Sequence, residues 1–120
     1  MRILIADDSH LVRRGIVSLL SNEPPCQICG EASNSNETLS KTNELCPDIV
    51  LLDVSMPGGS GFETARRLRQ QIPGIKILIM SQHDPHRMPV HSLEAGADGF
   101  VDKGRLATDL LPTIRSMFET

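Results

Sequence analysis

Ile49-Val50-Leu51-Leu52-Asp53 decides the reading of this chain. Four branched apolar residues run without interruption, and a carboxylate follows at once. A short, uniformly apolar run of this kind is the pattern of a strand buried on both faces, as in parallel sheets. Met56-Pro57-Gly58-Gly59-Ser60-Gly61 comes next and can neither extend the strand nor open a helix before Ser60, so it is a loop. Asp53 is therefore expected at the carboxyl end of a buried strand, facing a loop. That edge is where open α/β sheets bind ligands. Taken alone, the aspartate is explained equally well as a residue that merely closes the strand. What the other strand ends carry decides between the two.

Upstream, Ile3-Leu4-Ile5-Ala6 is a second buried strand, closed by Asp7-Asp8-Ser9. A helix follows over about residues 11–21, with Val12, Ile16, Leu19 and Leu20 on one face at i, i+4, i+7 and i+8. Glu23-Pro24-Pro25 ends it, since two prolines cannot propagate a helix. Residues 27–32 read as a modest strand. Asn34-x-x-Glu37 resembles a capping box and opens a helix to about residue 45, where only Leu39, Leu45 and Cys46 are clearly apolar.

Downstream, Ser60-x-x-Glu63 is a better capping box. It opens a helix to about residue 71, with Phe62, Ala65, Leu68 and Ile72 facing inward, and Pro73-Gly74 stops it. Lys76-Ile77-Leu78-Ile79-Met80-Ser81 is a further buried strand. Asp84-Pro85 starts a helix that runs to about residue 95. Gly96-Ala97-Asp98-Gly99 is a turn, Phe100-Val101-Asp102 a short strand, and Lys103-Gly104 its end. A last helix spans about residues 106–118, with Leu106, Leu110, Ile114 and Met117 as its stripe. Pro112 inside it is expected to kink or offset it.

At 120 residues this is one domain, large enough for a core without staples. Apolar content of 39% and charged content of 22% are those of an ordinary globular chain. A net charge of -3 gives no drive toward nucleic acid or an anionic membrane. Met1-Arg2 leads straight into a strand, which leaves no room for a signal peptide, and no run is long enough to span a membrane. Three cysteines without secretory context point to a reduced, cytoplasmic protein.

Five βα units imply a parallel sheet with helices on both faces. Right-handed crossovers with one reversal of winding give a doubly wound sheet of strand order 2-1-3-4-5. The reversal lies between strands 1 and 3, whose ends carry Asp7-Asp8 and Asp53. Three carboxylates then converge, and without a cation they raise one another's pKa. Oxygen-only ligands favour a hard cation, and Mg²⁺ is typically held by one or two carboxylates plus phosphate oxygen. With such an ion present, a carboxylate can act as a nucleophile toward phosphorus. Ser81 and Lys103, at the ends of strands 4 and 5, supply a hydroxyl and a positive charge for phosphoryl oxygens.

This constellation resembles the receiver domain of bacterial two-component response regulators, over essentially the whole chain. The residues that carry the resemblance are Asp7-Asp8, Leu51-Leu52-Asp53-Val54-Ser55-Met56-Pro57 through Gly61, Ser81, and Phe100-Val101-Asp102-Lys103. The resemblance implies the flavodoxin-like receiver fold and Asp53 as acceptor of a phosphoryl group from a sensor histidine kinase. It implies Mg²⁺ held by Asp8, Asp53 and the backbone carbonyl of Ser55, with Asp7 acting through water. Ser81 and Lys103 would meet the phosphoryl oxygens. Phe100 would be the switch aromatic that turns inward as Ser81 moves, relaying the change to helix 4, strand 5 and helix 5. The segment Leu93-Glu94-Ala95-Gly96-Ala97-Asp98-Gly99-Phe100 with Lys103 looks most like receivers of the NarL/FixJ (LuxR-type) family. In that family a helix-turn-helix DNA-binding domain usually follows, so residues 1–120 would be the receiver and DNA contact would lie outside them. Homodimerisation or release of the DNA-binding module would be the outcome of phosphorylation. Gln82 stands where the family usually has Ala or Gly, and brings a longer amide near the phosphoryl site. Gly104 replaces a common proline, which removes the cis option and leaves Lys103 less fixed. Gly59 and Ser60 loosen the Asp53 loop.

Other readings fit less well. A haloacid-dehalogenase phosphatase needs a second acid two residues after its nucleophile, where this chain has Ser55. A flavodoxin-like cofactor binder needs a phosphate loop after strand 1, where Asp7-Asp8 would repel phosphate. A stand-alone or degenerate receiver acting through protein contacts is the alternative within the family. Cys26-x-x-Cys29 sits at a strand, where i and i+3 point to opposite faces, so it is no metal pair. His83-Asp84-Pro85-His86 and His91, around the fourth helix, read as exposed, Met80 and Met88 as packing, and Arg66-Arg67-x-Arg69 as a solvated face.

Overall fold

The computed structural model describes residues 1–58, 60–82 and 88–119, without the side chains of residues 88–90. The expectations for Gly59, His83, Asp84, Pro85, His86 and the Met88 side chain lie outside what is described.

Five parallel strands form one sheet in the order β2-β1-β3-β4-β5, as the winding argument requires. The strands are β1 (Arg2–Ala6), β2 (Gln27–Ala32), β3 (Ile49–Asp53), β4 (Lys76–Ser81) and β5 (Gly99–Asp102). The helices between and after them are α1 (His10–Leu20), α2 (Ser35–Leu45), α3 (Gly61–Gln71), α4 (Met88–Glu94) and α5 (Leu106–Phe118). A single 3-10 turn, Lys103–Arg105, leads into α5.

Alternation along each strand divides the core into two layers. Ile3, Ile5, Ile49, Leu51, Leu78, Met80 and Val101 pack with Ile16 and Leu20 of α1 and Leu110 and Ile114 of α5. Leu4, Ala6, Val50, Leu52, Ile77 and Ile79 pack on the other side with Ala65 and Leu68 of α3. All five residues of β3 are buried, as a strand covered on both faces must be. Cys26 joins the first layer and Cys29 the second, so their side chains do not converge on an ion. The register between β1 and β2 shifts at this point: Ile3 pairs with Ile28 but Leu4 with Gly30, leaving Cys29 as the extra residue of a bulge.

Three details differ from the sequence reading. Leu19 does not belong to the inward face of α1. It is 36% exposed, whereas Ile16 and Leu20 are fully buried. The inward face of α2 is hydroxylic: Ser35, Thr38 and Thr42 are its buried residues. Thr38 Oγ1 donates to Asn34 O at 2.8 Å and Thr42 Oγ1 to Thr38 O at 2.6 Å. With its hydroxyl satisfied one turn back, each threonine can be buried without an unpaired polar atom. A count of apolar residues cannot see this. Arg69 is no solvated arginine. Its guanidinium donates to the carbonyls of Gly96, Pro73 and Ile75 and to Asp98 Oδ2, tying α3 to the turn before β5. Arg66 and Arg67 are exposed as expected. Through Pro112 the last helix continues to Phe118.

Candidate functional site

Parallel pairing brings the carboxyl ends of all five strands to one edge. β1 and β3 are neighbours, but α1 leaves toward one layer and α3 toward the other. The chain therefore diverges above Asp7 and Asp53 and leaves a crevice, as expected at a switch point. One carboxylate oxygen each from Asp7, Asp8 and Asp53 lies within 4.8 Å of the others. Asp7 is fully buried, Asp53 is 1% exposed, and Asp8 faces solvent.

Asp7 is held from several directions. Its Oδ1 accepts from the Ser9 backbone N–H at 2.8 Å, and Ser9 in turn caps α1 by accepting from Val12 N at 3.2 Å. Arg13 donates from one guanidinium nitrogen to Asp7 O at 2.6 Å and from Nε to Glu31 Oε1 at 2.9 Å. Sequence reasoning missed Arg13, because nothing in the one-dimensional pattern tells a helix cation that turns back on the preceding loop from one that points to water.

Asp53 ends β3, and its Oδ1 accepts from the Ser55 N–H at 3.1 Å. Gly61 N donates to Val54 O at 2.9 Å. A Cβ on Gly61 would lie 2.5 Å from Asp53 O and Val54 Cα, so only glycine lets α3 start this close to the strand.

Lys103 reaches into the cluster with a side chain only 10% exposed. Its Nζ lies 2.7 Å from Asp7 Oδ2 and 3.0 Å from Asp53 Oδ1. The 3-10 turn is capped by Asp102, whose side chain accepts from Gly104 N at 2.8 Å, and no peptide bond among the described residues is cis. Ser81 is buried at the end of β4, opposite Asp102 in register. Phe100 is half-buried and packs in the layer that α3 covers. Ser55 and Gln82 are exposed.

The electrostatics is unbalanced. Among the described residues three carboxylates face one ammonium, which leaves two formal negative charges when all are ionised. Burial raises the Asp53 carboxyl above its ordinary value, and Asp7 adds to this, against the opposing pull of the Ser55 N–H and Lys103. Burial works against the charge on Lys103, but its bonds to Asp7 and Asp53 outweigh it and keep the ammonium protonated above its usual range. Asp53 Oδ2 is buried and accepts no hydrogen bond from the described residues. A buried carboxylate oxygen without a partner is costly, and an oxygen-ligated hard cation would satisfy both this atom and the excess charge. Among the described residues the donor set holds no thiolate or imidazole, and it fits such an ion and not zinc.

Among the described residues no helix is long and apolar enough to cross a membrane. The chain matches the response regulator receiver domain family over residues 3–115. It is 38% identical to the response regulator GacA of Pseudomonas viridiflava over 118 residues, covering 98% of this chain and 55% of that protein. It is 31% identical to the response regulator UvrY of Escherichia coli K12, covering 98% of this chain and 54% of that protein. Thus the chain spans about half the length of these relatives. Among solved structures, a LuxR-family two-component response regulator from Aurantimonas sp. SI85-9A1 superposes with a TM-score of 0.91 at 33% identity, over 97% of this chain and 83% of that one. The LuxR-family match agrees with the NarL/FixJ resemblance of the segment ending at Lys103. Sheet order, acid cluster and family match agree: this chain belongs to the response regulator receiver domain family.

Proposed function

We propose that Asp53 is the phosphoacceptor of this receiver domain, and that a sensor histidine kinase in the cytoplasm is its donor. The observation that carries this reading is the buried, unpartnered Asp53 Oδ2 beside an ammonium and two further carboxylates. In the transfer, a carboxylate oxygen of Asp53 forms the O–P bond as the N–P bond of a phosphohistidine breaks. The leaving electron pair stays on the imidazole nitrogen. Phosphoryl transfer asks the protein mainly for positioning and charge neutralisation. Asp8, Asp53 and the Ser55 carbonyl would hold Mg²⁺, with Asp7 acting through water. When bound, the ion supplies positive charge to the crowded oxygens. Lys103, already between Asp7 and Asp53, supplies the fixed ammonium for the phosphoryl oxygens, and Ser81 the hydroxyl. Return of the group to water at this same site is part of the proposal, as is the domain's lack of any other enzymatic activity.

Phe100 and Ser81 relay the change, and the phosphoryl group's unequal affinity for two conformations supplies the energy. The output we propose is transcriptional, through a helix-turn-helix domain outside residues 1–120, with homodimerisation of the phosphorylated form. The relatives' greater length supports a second module. The test is incubation with Mg²⁺ and a small acyl-phosphate donor, followed by intact-mass spectrometry. One base-labile phosphoryl group is expected, and none with Asp53→Asn. An adduct that survives the substitution refutes the assignment.

A further inference from the structure

The loop between β3 and α3 is tied to α2 by a pair of buried hydroxyls that the acid cluster does not itself include. Ser35, the first residue of α2, and Thr64, in the first turn of α3, are each 2% exposed. Their side-chain oxygens lie 2.9 Å apart, and Thr64 Oγ1 is also 3.2 Å from Ser60 O. Each hydroxyl has one proton to give. Thr64 can donate to Ser35 Oγ or to Ser60 O but not to both at once, and Ser35 has a proton of its own to give. A relay satisfies both groups: Ser35 Oγ–H donates to Thr64 Oγ1, and Thr64 Oγ1–H donates to Ser60 O. The backbone adds a second tie, because Ser35 N donates to Pro57 O at 3.1 Å. Gly58 stands beside this contact at φ +92°, a left-handed backbone conformation that side chains rarely adopt. The loop is thus tied to α2 at Pro57 through the backbone, and the first turn of α3, which closes on Ser60 O, is tied to α2 through the hydroxyl pair.

An apolar pair would fill the same space and hold nothing in direction. A hydroxyl relay fixes the carbonyl it reaches. The same short loop carries Ser55, whose N–H already orients Asp53 Oδ1. We propose that Ser35 and Thr64 are positioning residues for the metal site, setting the loop so that the Ser55 carbonyl and Asp53 meet one ion. This rests on the Mg²⁺ reading given above.

Thr64→Val keeps the shape and removes the hydroxyl, Thr64→Ser keeps the hydroxyl, and Ser35→Ala breaks the relay from its other end. Thr42→Val is the control. Thr42 is fully buried and bonds within its own helix, to Thr38 O, so its loss costs stability without touching the loop. Mg²⁺ alone is titrated and followed by amide chemical shifts, urea unfolding is measured for each variant, and amide exchange is followed at residues 54–58 in EDTA. Thr64→Val and Ser35→Ala are expected to weaken Mg²⁺ binding roughly tenfold, the lower end for residues that orient metal ligands, and to speed exchange in the loop. Thr64→Ser should stay within about twofold of the natural chain, and Thr42→Val should lower the urea midpoint without moving the Mg²⁺ affinity. Unchanged affinity in Thr64→Val, or an equal loss in Thr42→Val, overturns the proposal. If the unvaried protein binds no Mg²⁺ at Asp53, the metal reading itself fails and takes this inference with it.

Discussion

Asp53→Asn should make the metal-free domain more stable, although it removes one partner of a buried ion pair. Lys103 Nζ lies 3.0 Å from Asp53 Oδ1, an attraction of about 5.5 kcal/mol at an effective dielectric of about 20. Part of it survives, because the asparagine oxygen still accepts from Lys103 and from Ser55 N. Against the loss stand two gains. Repulsion between Asp53 and Asp7, whose oxygens lie within 4.8 Å, is relieved by at least about 3.5 kcal/mol on the same scale. The cost of keeping a carboxylate that is 1% exposed out of water, several kcal/mol per ion, disappears as well. What remains is a neutral Asp7–Lys103 pair, where before two buried anions shared one cation. The net expectation is a gain of about 1–2 kcal/mol, or roughly 4–8 °C in Tm for a domain of this size. The pH dependence follows from the raised Asp53 pKa. A carboxyl whose pKa rises on folding favours the folded state below its unfolded value, about 3.9, and loses that advantage as pH climbs through the folded value. The gap between variant and natural chain should therefore open across that window and stay constant above it. The chain has no Trp or Tyr, so urea unfolding in EDTA is best followed by far-ultraviolet circular dichroism. An asparagine variant less stable by about 1 kcal/mol or more at neutral pH would refute the reasoning, since the ion pair would then outweigh repulsion and burial together.

Lys103→Ala should act in the opposite sense, destabilising the metal-free domain by about 3–5 kcal/mol because it leaves two buried carboxylates uncompensated, and Mg²⁺ should recover part of the loss. Differential scanning calorimetry with and without Mg²⁺ measures both effects. Arg69→Ala should cost about 1–3 kcal/mol in urea unfolding, since the carbonyls of Gly96, Pro73 and Ile75 lose their shared donor, whereas Arg66→Ala on the exposed side of the same helix should be nearly neutral.

The acid cluster was legible from the chain because each of its members ends a strand. Strands buried on both faces have to be apolar, so Asp7, Asp8, Asp53 and Lys103 stood out against Ile3-Leu4-Ile5-Ala6, Ile49-Val50-Leu51-Leu52 and Phe100-Val101. Chirality of the crossovers then brought the ends together. α1 was harder. Its spacing lets Leu19 share the inward face with Ile16 and Leu20, and only the way the helix is pressed on the sheet and α5 leaves Ile16 and Leu20 buried and Leu19 36% exposed.

Local sequence thus determined which elements form, their order, and which charged groups stand at the sheet's ligand edge, because period, caps and strand ends are properties of neighbours along the chain. Tertiary structure decided the rest: that Lys103 bridges Asp7 and Asp53, that Arg13 and Arg69 turn back onto backbone carbonyls, that threonines line the inner face of α2, and that Ser35 meets Thr64. Each of these joins groups distant in sequence or depends on which surface a helix is pressed against. A polar side chain takes its partner from whatever packing brings within about 3 Å, and that distance is written in no single stretch of sequence.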